Sequence, residues 1–151
     1  MAPRVQTRVV AQKSAFIDAM LAGLDTLPLD NEEAFLSAAR DVAAAESFLR
    51  RSLEALLDLG SLVLSEGFGV GPREDADLAP ALELDGILLH GDALLLAKLT
   101  AHRARLADYF DELSAAEIFA LGAPCREGVA RVRDAMLDWL RRHPELVDGE
   151  L

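Results

Sequence analysis

Apolar residues recur along the chain at intervals of three and four, the spacing that places side chains on one face of an α-helix. This pattern predicts a first helix from about Thr7 to Leu27. Its predicted core face holds Phe16, Met20, Leu24 and Leu27, widened by Ile17 and Leu21. Pro28 ends the helix, because the residue before a proline is driven out of the helical region.

The longest apolar run predicts a second helix over residues 31 to 66, opened by a capping box of Asp30 and Glu33. The predicted stripe consists of Phe35, Ala39, Val42, Glu46, Leu49, Leu53, Leu56, Gly60 and Val63. Such a helix would be about 50 Å long, whereas a compact chain of this size has a radius of gyration of about 15 Å. We therefore expect an elongated protomer that pairs with a second copy, since twofold dimers are the commonest oligomers.

The remaining pattern predicts shorter helices separated by glycine and proline. A loop at Gly67, Gly69, Gly71 and Pro72 lacks the preceding strand and the following Gly-Lys-Ser/Thr of a phosphate loop, so we interpret it as a turn. The next predicted helix runs from Asp75 to Leu84, and the one after it from Gly91 to Phe110. The residues of the latter that are predicted to face inward are Leu95, Leu99, Leu106 and Phe110. A short segment then opens with the Ser114–Glu117 capping box, and a last helix follows Gly122 and Pro124 and stops at His143-Pro144. The expected architecture is one domain, residues 1–151, folded as an all-α bundle of five or six helices.

Composition supports a helical protein and charge narrows its partners. The 151 residues include 28 Leu and 26 Ala but only 15 Val, Ile and Thr together, and the latter group favours strands. With 26 acidic and 15 basic residues the formal net charge is −11. An acidic surface repels nucleic-acid phosphates and anionic lipids, and no apolar stretch is long enough for a membrane helix. We expect a cytoplasmic protein that does not bind membranes.

The residues with chemical potential do not form a recognisable catalytic or metal motif. His90, His102 and His143 lack the spacing of zinc ligands, so no metal or cofactor is expected. We interpret His90 as a loop or cap residue and His143 as a helix-end cation. Ser61, Ser65 and the single cysteine, Cys125, have no histidine nearby in the sequence.

Two charged residues interrupt the predicted core stripes. Glu46 lies between Val42 and Leu49, and Arg103 lies between Leu99 and Leu106. A charge in an apolar stripe must pair, reach solvent or lie at an interface. For Arg103 two interpretations stay open: its stem covers apolar neighbours while its head reaches water, or its planar fork binds a phosphate or carboxylate.

The segment around Arg103 resembles the HEPN superfamily, in particular its HepT-like branch, also known as domain of unknown function 86. Family members carry Arg-Asn-x-Leu-Val-His-x-Tyr on one helix and a Val/Ile-Tyr pair on the next. Here the corresponding segments are residues 98–110, KLTAHRARLADYF, and Glu117-Ile118-Phe119. Upstream, residues 45–49 and 54–60 resemble the family's long second helix and Pro72 its loop proline, so the resemblance covers about residues 10–142.

The resemblance implies a helical dimer related to metal-independent ribonuclease toxins. Such toxins are usually encoded beside a minimal nucleotidyltransferase antitoxin, which modifies the tyrosine next to the motif. In the family the motif arginine holds the phosphate and the histidine transfers the proton. The two protomers bring their motifs together across the twofold axis.

This chain keeps only part of the family motif. Arg103 matches the arginine and Leu106 the leucine, but Ala104 stands in place of the asparagine. Asp108 stands in place of the histidine and Phe110 in place of the modified tyrosine. Aspartate, with a pKa of about 3.9, is a poor base at neutral pH compared with histidine at about 6.5. Accessory roles stay open for His102, one residue before Arg103, and for Tyr109.

We therefore expect a catalytically degenerate HEPN-like protein that acts as a protein-binding homodimer, plausibly with a nucleotidyltransferase-type partner. In that dimer Arg103 of one protomer is expected to pair with Asp108 of the other. The alternatives are an active ribonuclease that uses Arg103, for which RNA would be a partner, and an unrelated helical bundle.

Overall fold

The computed structural model describes residues 4–69, 71, 74–107 and 113–151 and confirms the all-α class. These residues form six α-helices: α1 (Thr7–Asp25), α2 (Glu32–Leu36), α3 (Ala39–Phe68), α4 (Leu78–Leu84), α5 (His90–Ala107) and α6 (Ala115–Arg141). Short 3-10 helices occupy Asp75–Asp77 and Pro144–Leu146. No helix among the described residues combines the length and apolarity needed to cross a membrane.

Helix α3 is the centre of the bundle and contacts each of the other five helices. Leu49, Leu53, Leu56 and Val63 on its core face are completely or almost completely buried. Its 30 residues correspond to a length of about 45 Å.

The predicted long second helix is wrong at its beginning, because the chain leaves the helical path between α2 and α3. Ala38 has an extended backbone with φ −121° and ψ 99°, and the Ser37 hydroxyl donates to the carbonyl of Ala34 at 2.8 Å. The start also differs from the predicted capping box, since the Asn31 side chain accepts from the Ala34 backbone N–H at 3.1 Å. The break lets Phe35 turn into the core, where its ring lies 5.5 Å from that of Phe119.

Glu46 is not a core residue, in contrast to the predicted stripe. Its side chain is exposed, and Ala45 takes the buried position instead. Because α3 begins only at Ala39, its core face runs from Val42 to Ala45 to Leu49 and is out of phase with Phe35. A solvated Glu46 needs no buried partner.

The last two predicted helices are one helix, α6, and Pro124 lies inside it. An interior proline costs about 3 kcal/mol because it lacks an N–H and crowds the preceding turn. Here Ile118 and Cys125 are buried on either side of the expected break. A Cβ atom at Gly122 would come within 2.9 Å of the Leu29 side chain, so α6 packs closely against the α1–α2 connection. This packing holds the helix continuous.

Other local predictions are confirmed. Ser114 and Glu117 form the predicted capping box, with the Glu117 N–H donating to the Ser114 hydroxyl at 3.1 Å and the Ser114 N–H donating to the Glu117 carboxylate at 3.2 Å. Helix α3 is capped by Gly69, whose φ of 77° is left-handed, in the glycine-rich loop.

One core-face prediction is wrong. Phe16 of α1 is 40% exposed, and Arg51 lies over its ring.

Ion pairs fasten α6 to the outer helices. Arg133, only 11% exposed, pairs with Asp18 of α1, and Arg126 makes a two-pronged contact with Asp25 at 2.9 Å for each nitrogen. Arg131 pairs with Asp92 of α5 at 2.7 Å. The Arg131–Asp92 pair joins α6 to α5, on which the candidate site lies.

Candidate functional site

Arg103 lies near the end of α5 and its guanidinium is held between two carboxylates of its own chain. One terminal nitrogen lies 3.4 Å from Asp75 Oδ2 in the 3-10 helix before α4. The other lies 3.9 Å from Glu54 Oε1 on α3. The side chain is 32% exposed, while its Nε is buried and has no hydrogen-bond partner among the described residues. Arg103 therefore both buries its stem and pairs its charged head.

Glu54 is shared between two arginines. Arg50, one helical turn earlier on α3, lies 3.6 Å from the same Glu54 oxygen. We refer to Arg50, Glu54, Asp75 and Arg103 together as the Arg103 cluster. Its two cations and two carboxylates balance formally, so an approaching phosphate would meet two negative groups beside the arginine. Because all four side chains are at least 32% exposed, solvent weakens each pair to about 1 kcal/mol or less.

His102 is next to Arg103 in sequence but lies about 100° away around α5. Burial, with the charges of Lys98 and Arg105 on the same helix, lowers the pKa of His102 below its usual value. The shift favours the neutral form of the imidazole and makes it a weaker base. It is half-buried.

The structure places the remaining motif positions as follows. Ala104 is exposed and Leu106 is buried. Asp108, Tyr109 and Phe110 lie outside the described residues, so the expected pairing of Arg103 with Asp108 of a second copy stays a prediction.

The other candidate residues have structural surroundings. His90 is the first residue of α5, and its Nδ1 lies 2.9 Å from the carboxylate of Glu83 on α4. The His143 ring stacks on Trp139. Cys125 is buried, and burial raises the pKa of its thiol to about 11, so the thiolate is scarce at pH 7. No group of three or more His, Cys, Asp or Glu in the described part of the chain could hold a metal ion.

A groove of about 410 Å³ between α1 and α3 adjoins Glu54. Its charged residues are of both signs: Lys13, Arg51, Glu54 and Asp58. Arg51 also lies over the ring of Phe16, 5.9 Å from its centre. A surface that binds an RNA backbone gathers positive charges. In this groove two carboxylates balance the two cations.

Sequence reasoning found Arg103 but missed Glu54 and Asp75. The only local signal was the Arg50–Glu54 spacing of four, which predicts a pair within α3. Nothing in the sequence indicates that α3 and the segment before α4 converge on α5, because those contacts join residues 28 and 49 positions apart.

Solved structures share this fold. The chain has a HEPN-like fold: it superimposes with a TM-score of 0.76 on a tri-AMPylated Shewanella oneidensis HEPN toxin in complex with MNT antitoxin, at 15% identity over 86% of this chain and 97% of that one. A chain of a toxin–antitoxin crystal structure with AMP-PNP gives a TM-score of 0.74 at 14% identity, covering 87% of this chain and 98% of that one.

YutE, a cytosolic protein of unknown function from Bacillus subtilis, gives a TM-score of 0.79 at 17% identity and covers 98% of both chains. No protein-family model matches the sequence, and no curated protein matches it significantly. At these identities the comparisons establish the fold.

Proposed function

We propose that this chain is a catalytically degenerate relative of HepT-like HEPN toxins and acts as a protein-binding homodimer. The observation that carries the proposal is the engagement of Arg103 by Asp75 and Glu54 of the same chain. An arginine that serves a phosphate must present its positive charge to it. Here that charge is already balanced, and the resemblance places Asp108 where the proton-transferring histidine is expected.

The proposed partner is a minimal nucleotidyltransferase of the antitoxin type. Support comes from the fold, which is shared with a HEPN toxin determined in complex with an MNT antitoxin. The net charge of −11 also favours a protein partner over a nucleic acid. Co-expression with a nucleotidyltransferase encoded beside this gene is expected to give a complex that survives size-exclusion chromatography. Failure of such a pair to co-purify would contradict this partner.

The proposed dimer surface is the outer face of α5. Leu94 is 58% exposed, and Ala97, Ala101 and Ala104 follow it at helical spacing, all exposed. The stripe on α3 is covered within the protomer, so the exposed α5 face is where we expect a second copy to pack. This face does not include Arg103, whose partners lie on α3 and before α4, so it does not depend on the expected Arg103–Asp108 pair.

An active ribonuclease is the second candidate, and one observation favours it. Arg103 and His102 are neighbours near the end of α5, and both side chains are only partly exposed. In this alternative Arg103 would hold the phosphate and His102 would accept the proton.

Cleavage assays on single-stranded and structured RNA separate the two candidates. We expect no cleavage above background by the wild type, Arg103→Ala or His102→Ala. Arg131→Ala, which removes an exposed arginine that is also paired with a carboxylate, is the matched control. Cleavage by the wild type and the control but not by Arg103→Ala would overturn the proposal.

The double variant Glu54→Gln, Asp75→Asn tests whether the two carboxylates silence Arg103. It removes both negative partners and keeps the side-chain shapes. We expect tighter binding of a short RNA, lost again when Arg103→Ala is added, and still no cleavage because the proton-transferring histidine is missing. Unchanged RNA binding would show that the Arg103 cluster does not control access to phosphate.

A further inference from the structure

A second cavity, of about 500 Å³, lies where the end of α3, the α4–α5 connection and the end of α6 meet. Its apolar wall comprises Phe68, Ile87, Leu89 and Trp139. Phe68 is 38% and Leu89 80% exposed, while Ile87 and Trp139 are buried. No residue of the Arg103 cluster lines it. Its volume lies within the range of small-ligand sites.

The wall contains a row of aromatic rings. The Phe68 ring lies 5.8 Å from Trp139 at a tilt of 38°, and Trp139 stacks on His143 at 4.1 Å and 19°. Because Trp139 is held between the other two rings, the exposed part of Phe68 is the surface available for stacking. Aromatic surfaces favour flat, π-bonded ligands in offset or edge contacts.

Arg142 supplies a positive charge at this cavity. Its Nε donates to the backbone carbonyl of Asp138 at 3.3 Å, and no carboxylate of the described residues pairs with its guanidinium. The preceding Arg141, in contrast, pairs with the Asp138 carboxylate at 3.4 Å. A guanidinium without a carboxylate partner can bind an anionic group.

Two further polar groups line the same cavity. The His143 Nδ1 lies 2.7 Å from the Trp139 carbonyl oxygen. Since a carbonyl only accepts, Nδ1 carries a proton. Asp85 contributes a carboxylate, which accepts N–H groups.

We infer that this cavity binds a planar aromatic ligand that carries an anionic group and an N–H donor. The ring contacts Phe68 and the apolar wall, the anion pairs with Arg142, and the N–H donates to Asp85. Nucleoside monophosphates and amino-substituted aromatic carboxylates share this chemistry. The inference is independent of the function proposed for the Arg103 cluster.

The single tryptophan of the chain, Trp139, lies in the cavity wall and reports binding through its fluorescence. Two matched pairs of probes differ in the anion: AMP with adenosine, and 4-aminobenzoate with 4-aminobenzamide. We expect at least one anion to change Trp139 fluorescence at micromolar to sub-millimolar concentration. Its neutral counterpart should bind about tenfold more weakly or worse, a difference of about 1.4 kcal/mol. Inorganic phosphate, which lacks a ring, should give no change.

Arg142→Gln is expected to abolish the preference for the anion, whereas the neighbouring Arg141→Gln, whose side chain lies outside the cavity wall, should retain it. A response to AMP alone identifies a phosphate ligand, and a response to 4-aminobenzoate alone a carboxylate. The inference fails if neither anion changes the fluorescence, or if anion and neutral probe bind equally. It also fails if the two arginine variants behave alike.

Discussion

Asp148 caps the first helix from the opposite end of the chain. The N-terminal residue of α1, Thr7, donates its backbone N–H and its hydroxyl to Asp148 Oδ1 at 2.9 and 3.0 Å. Gln6, the local N-cap residue, provides no side-chain cap. A parallel bridge between Val5 and Val147 brings the carboxylate into position. A residue distant in sequence thereby satisfies a backbone donor that the local sequence leaves open.

Replacing Asp148 should destabilise the protein in a pH-dependent manner. Hydrogen bonds from Thr7 lower the pKa of Asp148 in the folded state below its unfolded value of about 3.9. Its stabilising contribution is therefore present above pH 4 or so and lost as pH falls through the folded pKa. We expect Asp148→Ala to have a lower melting temperature than the wild type at pH 7. The difference in melting temperature should become smaller in acid.

Glu150→Ala removes an exposed carboxylate two residues further on and is the control for net charge. Thermal melts followed by circular dichroism across pH 2 to 7, roughly the span over which carboxylates titrate, measure both gaps. A constant gap for Asp148→Ala at every pH would contradict the capping role.

At the scale of elements, Pro124 tests whether α6 is continuous. In a continuous helix an alanine at this position could donate to the carbonyl of Ala120, and Pro costs about 3 kcal/mol relative to Ala. Replacing the proline also gives the unfolded chain more conformational entropy, which reduces the gain in stability by up to about 1 kcal/mol. We expect Pro124→Ala to raise the free energy of unfolding by about 1–2 kcal/mol in urea titrations.

Pro144→Ala is the comparison, because Pro144 opens a short 3-10 helix, where proline is favourable. That variant should be no more stable than the wild type. A loss of stability in Pro124→Ala would instead indicate two helices separated at the proline.

Helix α2 has five residues, too few to be stable alone. It is anchored by Phe35, which is completely buried against Phe119. Phe35→Ala should therefore lower the free energy of unfolding by about 3–5 kcal/mol, as other buried phenylalanine truncations do. The same truncation at Phe16, which is 40% exposed, should cost less than half as much. Equal losses in denaturant titrations would place Phe35 outside the core.

At the scale of the whole molecule, the proposed homodimer makes a direct prediction about mass. Light scattering at micromolar concentration should report twice the 16.3 kDa of the chain. Ala101→Glu places a charge on the exposed face of α5 and should shift the mass to that of a monomer. Ala43→Glu, on an exposed position of α3, should leave the dimer intact. A wild-type monomer would refute the prediction.

The local sequence determined the helical class, most helix ends and the position of the unusual arginine. The Ser114–Glu117 capping box, Gly69 and Pro144 act within one turn of their own position, so their effect is readable without the fold. The periodicity of α3 from Val42 onward likewise depends only on neighbours three and four residues away.

Tertiary structure decided the features in which long-range packing outweighs local preference. Burial of Phe35 breaks an otherwise helical run between α2 and α3, and packing of Gly122 against Leu29 carries α6 through a proline. The ionic partners of Arg103 come from distant segments, since Glu54 and Asp75 reach it only once α3 and α5 are side by side. Helix periodicity identifies most of the side chains that face inward, but only the assembled bundle determines which charges they meet.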